Sequence, residues 1–415
     1  MPPGKFHSIR DTTQFVIDVD FATNLADQLL VGGNVSGTTF VVVNDVSTGL
    51  ASGGNVVFAT VGGTTAAGDF QLASGPISAG AYNYDAQLLG AQWILGAVAG
   101  PGPTPALNAT AALYESAPAI LLGAFASAPT FHQRTDQRQW LTGNTSGESV
   151  LNGIWLRTVG NWADVTPSLS TSGARYDLRS VSFQTGADFD LGDWVLGVTG
   201  QYGTVNADVS NALGTGSLRG QGFGLGATAT WVGASGSYFD LQGQANWIKT
   251  DLAAASTGVL LNNASMRAYA VSAEAGHRLA LDANRHLVPQ VQIGWGKLDA
   301  GRYTDNQSSA VDLGHPESLI GRLGLAYDAV KADGGGRFYA VGNLLHDFSG
   351  SHAVDLGGTP LSSKTGGTWA EIGLGGTLAL GDGGSLYAEG SYRSALGRGS
   401  SRSAYSLNIG YRKTF

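Results

Sequence analysis

Residues 238–248 read Tyr238-Phe239-Asp240-Leu241-Gln242-Gly243-Gln244-Ala245-Asn246-Trp247-Ile248. In an extended chain, successive side chains point to opposite faces. One face here carries Phe239, Leu241, Ala245 and Trp247, and the other carries Asp240, Gln242, Gln244 and Asn246. The first face is apolar. The second is polar but holds neither Lys nor Glu, the usual outward residues of a soluble sheet. A strand with lipid on one side and a polar lumen on the other accounts for both.

The alternation recurs on either side of this stretch. In residues 175–191, Val181, Phe183, Ala187 and Phe189 oppose Ser182, Gln184, Gly186 and Asp188. In 286–296, Leu287, Val291, Ile293 and Trp295 oppose Gln290, Gln292 and Gly294. In 404–415, Tyr405, Leu407, Ile409, Tyr411 and Phe415 oppose Ser406, Asn408, Gly410 and Arg412. About twelve such segments follow one another from residue 151 to the end, a sustained period-2 signal. Trp194, Trp231, Trp247, Trp295 and Tyr411 sit near segment ends, as interfacial aromatic girdles do. Segments of ~10 residues or more can cross a bilayer when tilted by ~45°. A sheet in lipid must close to pair its backbone. The expected fold is all-β: a 12-stranded antiparallel transmembrane β-barrel.

Composition agrees. Of 415 residues, 63 are glycine, none is cysteine, and 13% are charged, against about 25% in typical soluble domains. The apolar share of 43% is too high for a disordered chain. No apolar run approaches the ~18 residues of a membrane helix. Without cysteine there is no disulfide scaffold and no thiol metal site. With 23 basic and 31 acidic side chains the net charge is −8, which argues against a nucleic-acid partner. Residues 1–10 lack the apolar run of an export signal, so an exported chain of this kind is expected to begin further upstream.

The region before the barrel has a different texture. Residues 24–97 alternate short β segments with turns such as Gly32-Gly33-Asn34 and Gly53-Gly54-Asn55, a spacing that suits a solenoid of β rungs; a small soluble β domain is the alternative. Pro101-Gly102-Pro103-Thr104-Pro105 can continue neither ladder nor helix and marks a boundary. Residues 106–128 are rich in Ala and Leu, which favour helix, with Pro118 expected to start, restart or kink it. A twelve-stranded barrel has a lumen on the order of ~10 Å across, about the width of a slim helix. This linker helix is therefore expected in the lumen. Inward charges expected to pair there are Arg157, Arg179, Glu274, Arg322, Glu371, Glu389 and Arg393, with one another or with Glu115, Arg134 and Arg138 of the linker.

No catalytic, cofactor or metal constellation emerges. The seven histidines include no i,i+4 pair. His346 and Asp347 are adjacent in a predicted strand and so face opposite sides. The run Gly233-Ala234-Ser235-Gly236-Ser237 lacks the second glycine of a nucleophile elbow.

The C-terminal part resembles the translocator domain of type Va autotransporters of Gram-negative bacteria. The resembling stretches include Gly153-Ile154-Trp155-Leu156-Arg157, Phe183-Gln184-Thr185-Gly186-Ala187-Asp188, Trp369-Ala370-Glu371-Ile372-Gly373-Leu374-Gly375-Gly376 and the terminal Asn408-Ile409-Gly410-Tyr411-Arg412-Lys413-Thr414-Phe415. Upstream, Val35-Ser36-Gly37-Thr38-Thr39, Gly80-Ala81-Tyr82-Asn83-Tyr84 and Trp93-Ile94-Leu95 are similar to the end of a pertactin-like passenger. The resemblance implies a short right-handed parallel β-helix segment at 1–100 acting as a folding seed, a linker with a lumenal α-helix at 101–145, and an outer-membrane barrel at 146–415. It implies a non-enzymatic, monomeric translocator that carries its own passenger to the cell surface. Its implied partners are outer-membrane lipid or lipopolysaccharide and the barrel-assembly machinery. Asn408, Gly410, Tyr411 and Phe415 would form the assembly signal, although Lys413 stands at a usually apolar position. An outer-membrane barrel enzyme or a small porin with a soluble N-terminal appendage is the alternative. Some members cut themselves at an Asn-Asn pair in the lumenal helix; this linker has none, and Asn262-Asn263 is expected in an inter-strand loop.

Overall fold

The computed structural model describes residues 4–6, 13–100, 105–135, 152–332, 335–349, 351–381, 383–397 and 401–414. Twelve long strands form the barrel: β1 (Gly153–Thr166), β2 (Arg175–Asp190), β3 (Trp194–Asn211), β4 (Gly214–Val232), β5 (Ser237–Ala254) and β6 (Gly258–His277), then β7 (Arg285–Asp299), β8 (Glu317–Val330), β9 (Gly336–Asp347), β10 (Thr368–Ala379), β11 (Gly384–Leu396) and β12 (Ser401–Thr414). Each pairs antiparallel with its sequence neighbours, and β1 closes on β12 from Gly153↔Thr414 to Thr166↔Ser401. Closure leaves no lipid-facing edge.

The period-2 pattern sets which face goes where. Phe223, Leu225, Leu323, Ile372 and Leu374 point outward and are exposed, while their neighbours Gly222, Arg322 and Glu371 point into the lumen. Exposed apolar side chains around a whole wall are unfavourable in water and favourable in hydrocarbon. No helix among the described residues is long and apolar enough to cross a membrane; the exposed apolar band lies on the strands. Strands β3 to β6 run to 18–20 residues, longer than the ~10 needed to span, so they project beyond the bilayer.

At the end where β1 begins and β12 finishes, adjacent strands join by short turns; we call this the inner mouth. At the other, outer mouth, longer connections fold into a small antiparallel sheet of Leu169–Ser170, Thr359–Lys364, His352–Leu356, Ala310–Asp312 and Arg302–Thr304. The Asn262-Asn263 pair lies within strand β6 and not in a loop. Its register is irregular there, and Asn263 takes φ 58° with its N–H donating to Asp251.

Upstream of the barrel, Gly4–Phe6, Leu29–Val31 and Val56–Val61 pair in parallel, and so do Thr13–Asp20, Thr39–Asp45 and Phe70–Leu72. Ile17, Val41, Phe58, Phe70 and Trp93 are buried together between these stacks. Tyr82–Leu89 and Gln92–Ala97 then form an antiparallel hairpin whose second strand pairs back onto Val56–Val61. That return gives the last parallel strand a partner on what would be an open edge.

Candidate functional site

The chain that links the two parts passes through the barrel. Helix α1 (Ala109–Phe125) begins at the outer mouth, and α2 (Phe131–Thr135) lies near the inner one. Helix α1 continues through Pro118 and is buried on nearly every side, with only Gly123 exposed. It is a helix with no polar face, as expected when wall surrounds it. Small residues on both surfaces allow the approach. A Cβ placed on Gly220 of β4 would lie 2.9 Å from the Leu121 side chain, and one on Gly296 of β7 would overlap the Ala126 carbonyl.

Asn108 fixes the upper end. Its side-chain oxygen accepts from Ala111 N at 2.9 Å, the N-cap bond. Its amide nitrogen donates to the carbonyls of Gly80 and Tyr82 at 3.0 and 3.1 Å, tying the helix to the upstream stacks. From the end of β3, Asn211 Nδ2 donates to the carbonyls of Leu107 and Asn108 at 2.9 and 3.1 Å. Tyr114 donates its hydroxyl to Asp305 at 3.0 Å. Glu115 accepts from the Ser170 hydroxyl and, at 2.8 Å, from Ser172 N. Its partners are therefore loop donors and not a cation.

Below α1 the linker runs extended along β5. Asn246 donates to the Phe125 carbonyl at 2.7 Å, Gln244 to Ser127 at 2.9 Å and Gln242 to Pro129 at 2.9 Å. Three alternate side chains of the strand hold three alternate carbonyls of the linker, which is the 2-residue period of both chains in register. Asp240, next on the same face, forms a buried ion pair with Arg134. Arg134 also donates to Thr230 at 3.0 Å. Phe131 stacks on Tyr238 with centroids 4.4 Å apart, and its N–H donates to Glu274 at 3.0 Å.

The remaining lumenal residues close the network. Arg157 donates to the Gln133 carbonyl and to Gln184, both at 2.6 Å. Gln133 donates to Glu389 at 2.9 Å, and Glu389 also accepts from Tyr339 at 2.6 Å. Glu371 pairs with Arg393 at 2.7 Å, Arg322 with Glu274 at 2.8 Å and Arg412 with Asp188 at 2.6 Å. Asn408 donates to the Gln133 carbonyl at 2.9 Å, so it faces the lumen and holds the linker. Gly410 lies against the Tyr387 ring, where a Cβ would overlap it, and Tyr411 is half-buried on β12. Arg138 and Phe415 lie outside the described residues.

One expected lumenal charge is placed elsewhere. Arg179 is exposed on the outer face of β2, opposite Asn206 and Trp162 in register, because it shares parity with the lipid-facing Val181 and Phe183. The sequence reading also missed the role of Gln242, Gln244 and Asn246 as linker partners. Their amide spacing was visible, but the extended carbonyl row that they meet was not. Among the described residues, no group of three or more His, Asp or Glu side chains is arranged to hold a metal ion.

Comparison with known proteins matches this architecture on both parts. The family model for the autotransporter beta-domain matches residues 154–391, and the model for pertactin matches residues 5–97. The chain is 32% identical over 377 residues to the adhesin BmaC autotransporter of Brucella suis, covering 80% of this chain and 11% of that protein. It is 29% identical over 212 residues to the pertactin autotransporter of Bordetella bronchiseptica, covering 49% of this chain and 23% of the relative. It thus spans only about a tenth and about a quarter of these relatives. Among solved structures it resembles the transport unit of AIDA-I from Escherichia coli, with TM-score 0.55, 17% identity, and 68% and 96% of the two chains covered. It also resembles the beta domain of Bordetella BrkA, with TM-score 0.51, 22% identity, and 64% and 100% covered.

Proposed function

The chain belongs to the autotransporter family, and from that membership we propose that its barrel carries an N-terminal passenger across the Gram-negative outer membrane and anchors it at the cell surface. The observation that carries the proposal is the path of the linker. It enters at the outer mouth through Asn108, fills the lumen as α1, and reaches the inner mouth at Arg134. A chain left in that path at the end of export would tether whatever precedes it on the outside. A porin needs an open lumen, whereas here a helix occupies it.

We divide the chain accordingly, with residues 1–100 as the passenger's end, 101–145 as the linker and 146–415 as the barrel. The parallel stacks at 13–72 and their capping hairpin support a role for the passenger end as a folding seed. Stacked β units gain stability from neighbours, so a formed end offers a template for the next unit. The C-terminal strand, through Asn408, Gly410, Tyr411 and Phe415, would be the element that the barrel-assembly machinery reads. The closed twelve-strand ring supports a barrel that is complete as a monomer. No step of this role needs a catalytic group or a cofactor.

The test is an epitope inserted in the hairpin turn at Gly90, where φ is +64° and the chain is exposed. On intact Gram-negative cells, antibody and added protease should reach the epitope. Access only after the outer membrane is permeabilised would contradict the proposal.

A further inference from the structure

The outer face of the barrel carries a feature that export does not use. On the lipid side, Phe223 of β4 and Trp247 of β5 stack with centroids 5.3 Å apart and planes 18° from parallel. Tyr202 of β3 lies beside Phe223 in register. Lys249 stands two residues beyond Trp247 toward the outer mouth, and Arg267 of β6 sits directly opposite Trp247. The connection after β7 leans against this wall, where the Tyr303 hydroxyl donates to the Ser265 carbonyl at 2.7 Å. Between the aromatic pair and this connection lies a cavity of about 770 Å³ that opens outward, with Arg302 on its far side.

Its chemistry is two-ended. The lower wall is aromatic and continuous with the apolar band. The upper wall presents Lys249, Arg267 and Arg302. Lys249 donates to the Ser265 hydroxyl at 2.6 Å, and among the described residues neither Lys249 nor Arg267 forms an ion pair. Arg302 pairs with Asp312, but its side chain is 84% exposed. The one carboxylate on the lining, Asp299, is bound by His315 at 2.7 Å. Asp299 stands opposite Arg267 in register but is taken up by His315, so a neutral lipid would leave Lys249 and Arg267 without an ion pair, and a free anion would leave the aromatic wall uncovered. Basic pockets at the head-group level of a membrane protein bind anionic lipid heads, and Arg and Lys are the usual donors to phosphate.

We propose that this cavity binds one phosphorylated glycolipid of the outer leaflet, lipopolysaccharide. Its phosphate lies between Lys249 and Arg267, and an acyl chain runs down the Phe223–Trp247 stack. This rests on the outer-membrane orientation proposed above. It adds a defined lipid site to the wall of β3 to β6, beside the connection between β7 and β8.

The experiment titrates the purified full chain in neutral detergent with diphosphoryl lipid A, with the dephosphorylated lipid and with inorganic phosphate. Native mass spectrometry counts bound lipid, and tryptophan fluorescence reports occupancy. We expect diphosphoryl lipid A to bind at least tenfold tighter than the dephosphorylated lipid. Lys249→Gln with Arg267→Gln should remove that preference, and Lys297→Gln, outside the cavity, should keep it. Resistance of the barrel to detergent unfolding before heating checks that each variant is folded. If the double variant does not fold, Arg267→Gln alone must still weaken the preference severalfold. Equal binding of both lipids, an unaffected variant, or displacement of the lipid by equimolar phosphate would overturn the proposal. A chain that displays its Gly90 epitope yet shows no lipid preference would overturn this inference and leave the export proposal standing.

Discussion

At the residue scale, the linker is held in the lumen by buried polar groups that are paired. Arg134 and Asp240 are almost fully buried, and neither charge has water to return to. Removing one partner of a buried pair costs about 3–5 kcal/mol, whereas replacing both by apolar groups can be nearly neutral. Arg134→Met should therefore lower stability by that amount in urea unfolding of the vesicle-inserted protein. Adding Asp240→Leu should recover most of it. If the double variant is as unstable as the sum of the single ones, the pair is not coupled. The misplacement of Arg179 also belongs to this scale. Its parity with Val181 and Phe183 was in the sequence, but its charge suggested the lumen. In a strand that extends past the bilayer, an outward residue near the outer end meets water and not lipid, so parity decides the face.

At the element scale, β5 acts as a rack for the linker. Replacing Gln242, Gln244 and Asn246 together by Ala would remove three bonds to linker carbonyls, of which only Pro129 keeps a second donor, Gln292 at 3.2 Å, at roughly 1 kcal/mol for each hydrogen bond lost. The prediction is faster amide hydrogen exchange across residues 125–135, with exchange in β9 to β11 unchanged. Uniform acceleration around the barrel would contradict it. The strand itself was legible from its alternation, because a repeating period survives without knowledge of partners. The outer-mouth sheet was not legible, because its strands of two to six residues pair across long loops, with no periodicity of their own. The same holds for Glu115, whose Ser170 and Ser172 partners come from such a loop.

That sheet also gives a pH dependence. Burial pushes the Asp305 carboxyl above the usual range, against the hydrogen bonds it accepts from Ser309, Tyr114 and Gln307. A carboxyl whose folded pKa is raised contributes stability that is fully present below the unfolded value and is lost as pH rises through the folded one. Hydrogen exchange in residues 300–316 should therefore be slower under mildly acidic than neutral conditions, after correction for intrinsic rates. Asp305→Asn should flatten that difference. Greater protection at the higher pH would reverse the sign and contradict the argument.

At the scale of the whole molecule, three parts share one thread. The hairpin that caps the stacks outside begins at Tyr82, whose carbonyl Asn108 holds; Asn108 starts the helix; and the helix fills a lumen that glycines such as Gly220 make wide enough. The barrel, its strand number and the helical linker could be read from the sequence because each has a period or a composition. The hold of β5 on the linker needed coordinates, since it joins residues more than a hundred positions apart.

Whether the linker helix closes the barrel is measured by single-channel conductance in planar bilayers. The intact chain should be nearly non-conducting, and a chain lacking residues 106–139 should open a steady ion pathway several times larger. Equal conductance in the two, with both barrels folded, would contradict a helix in the lumen.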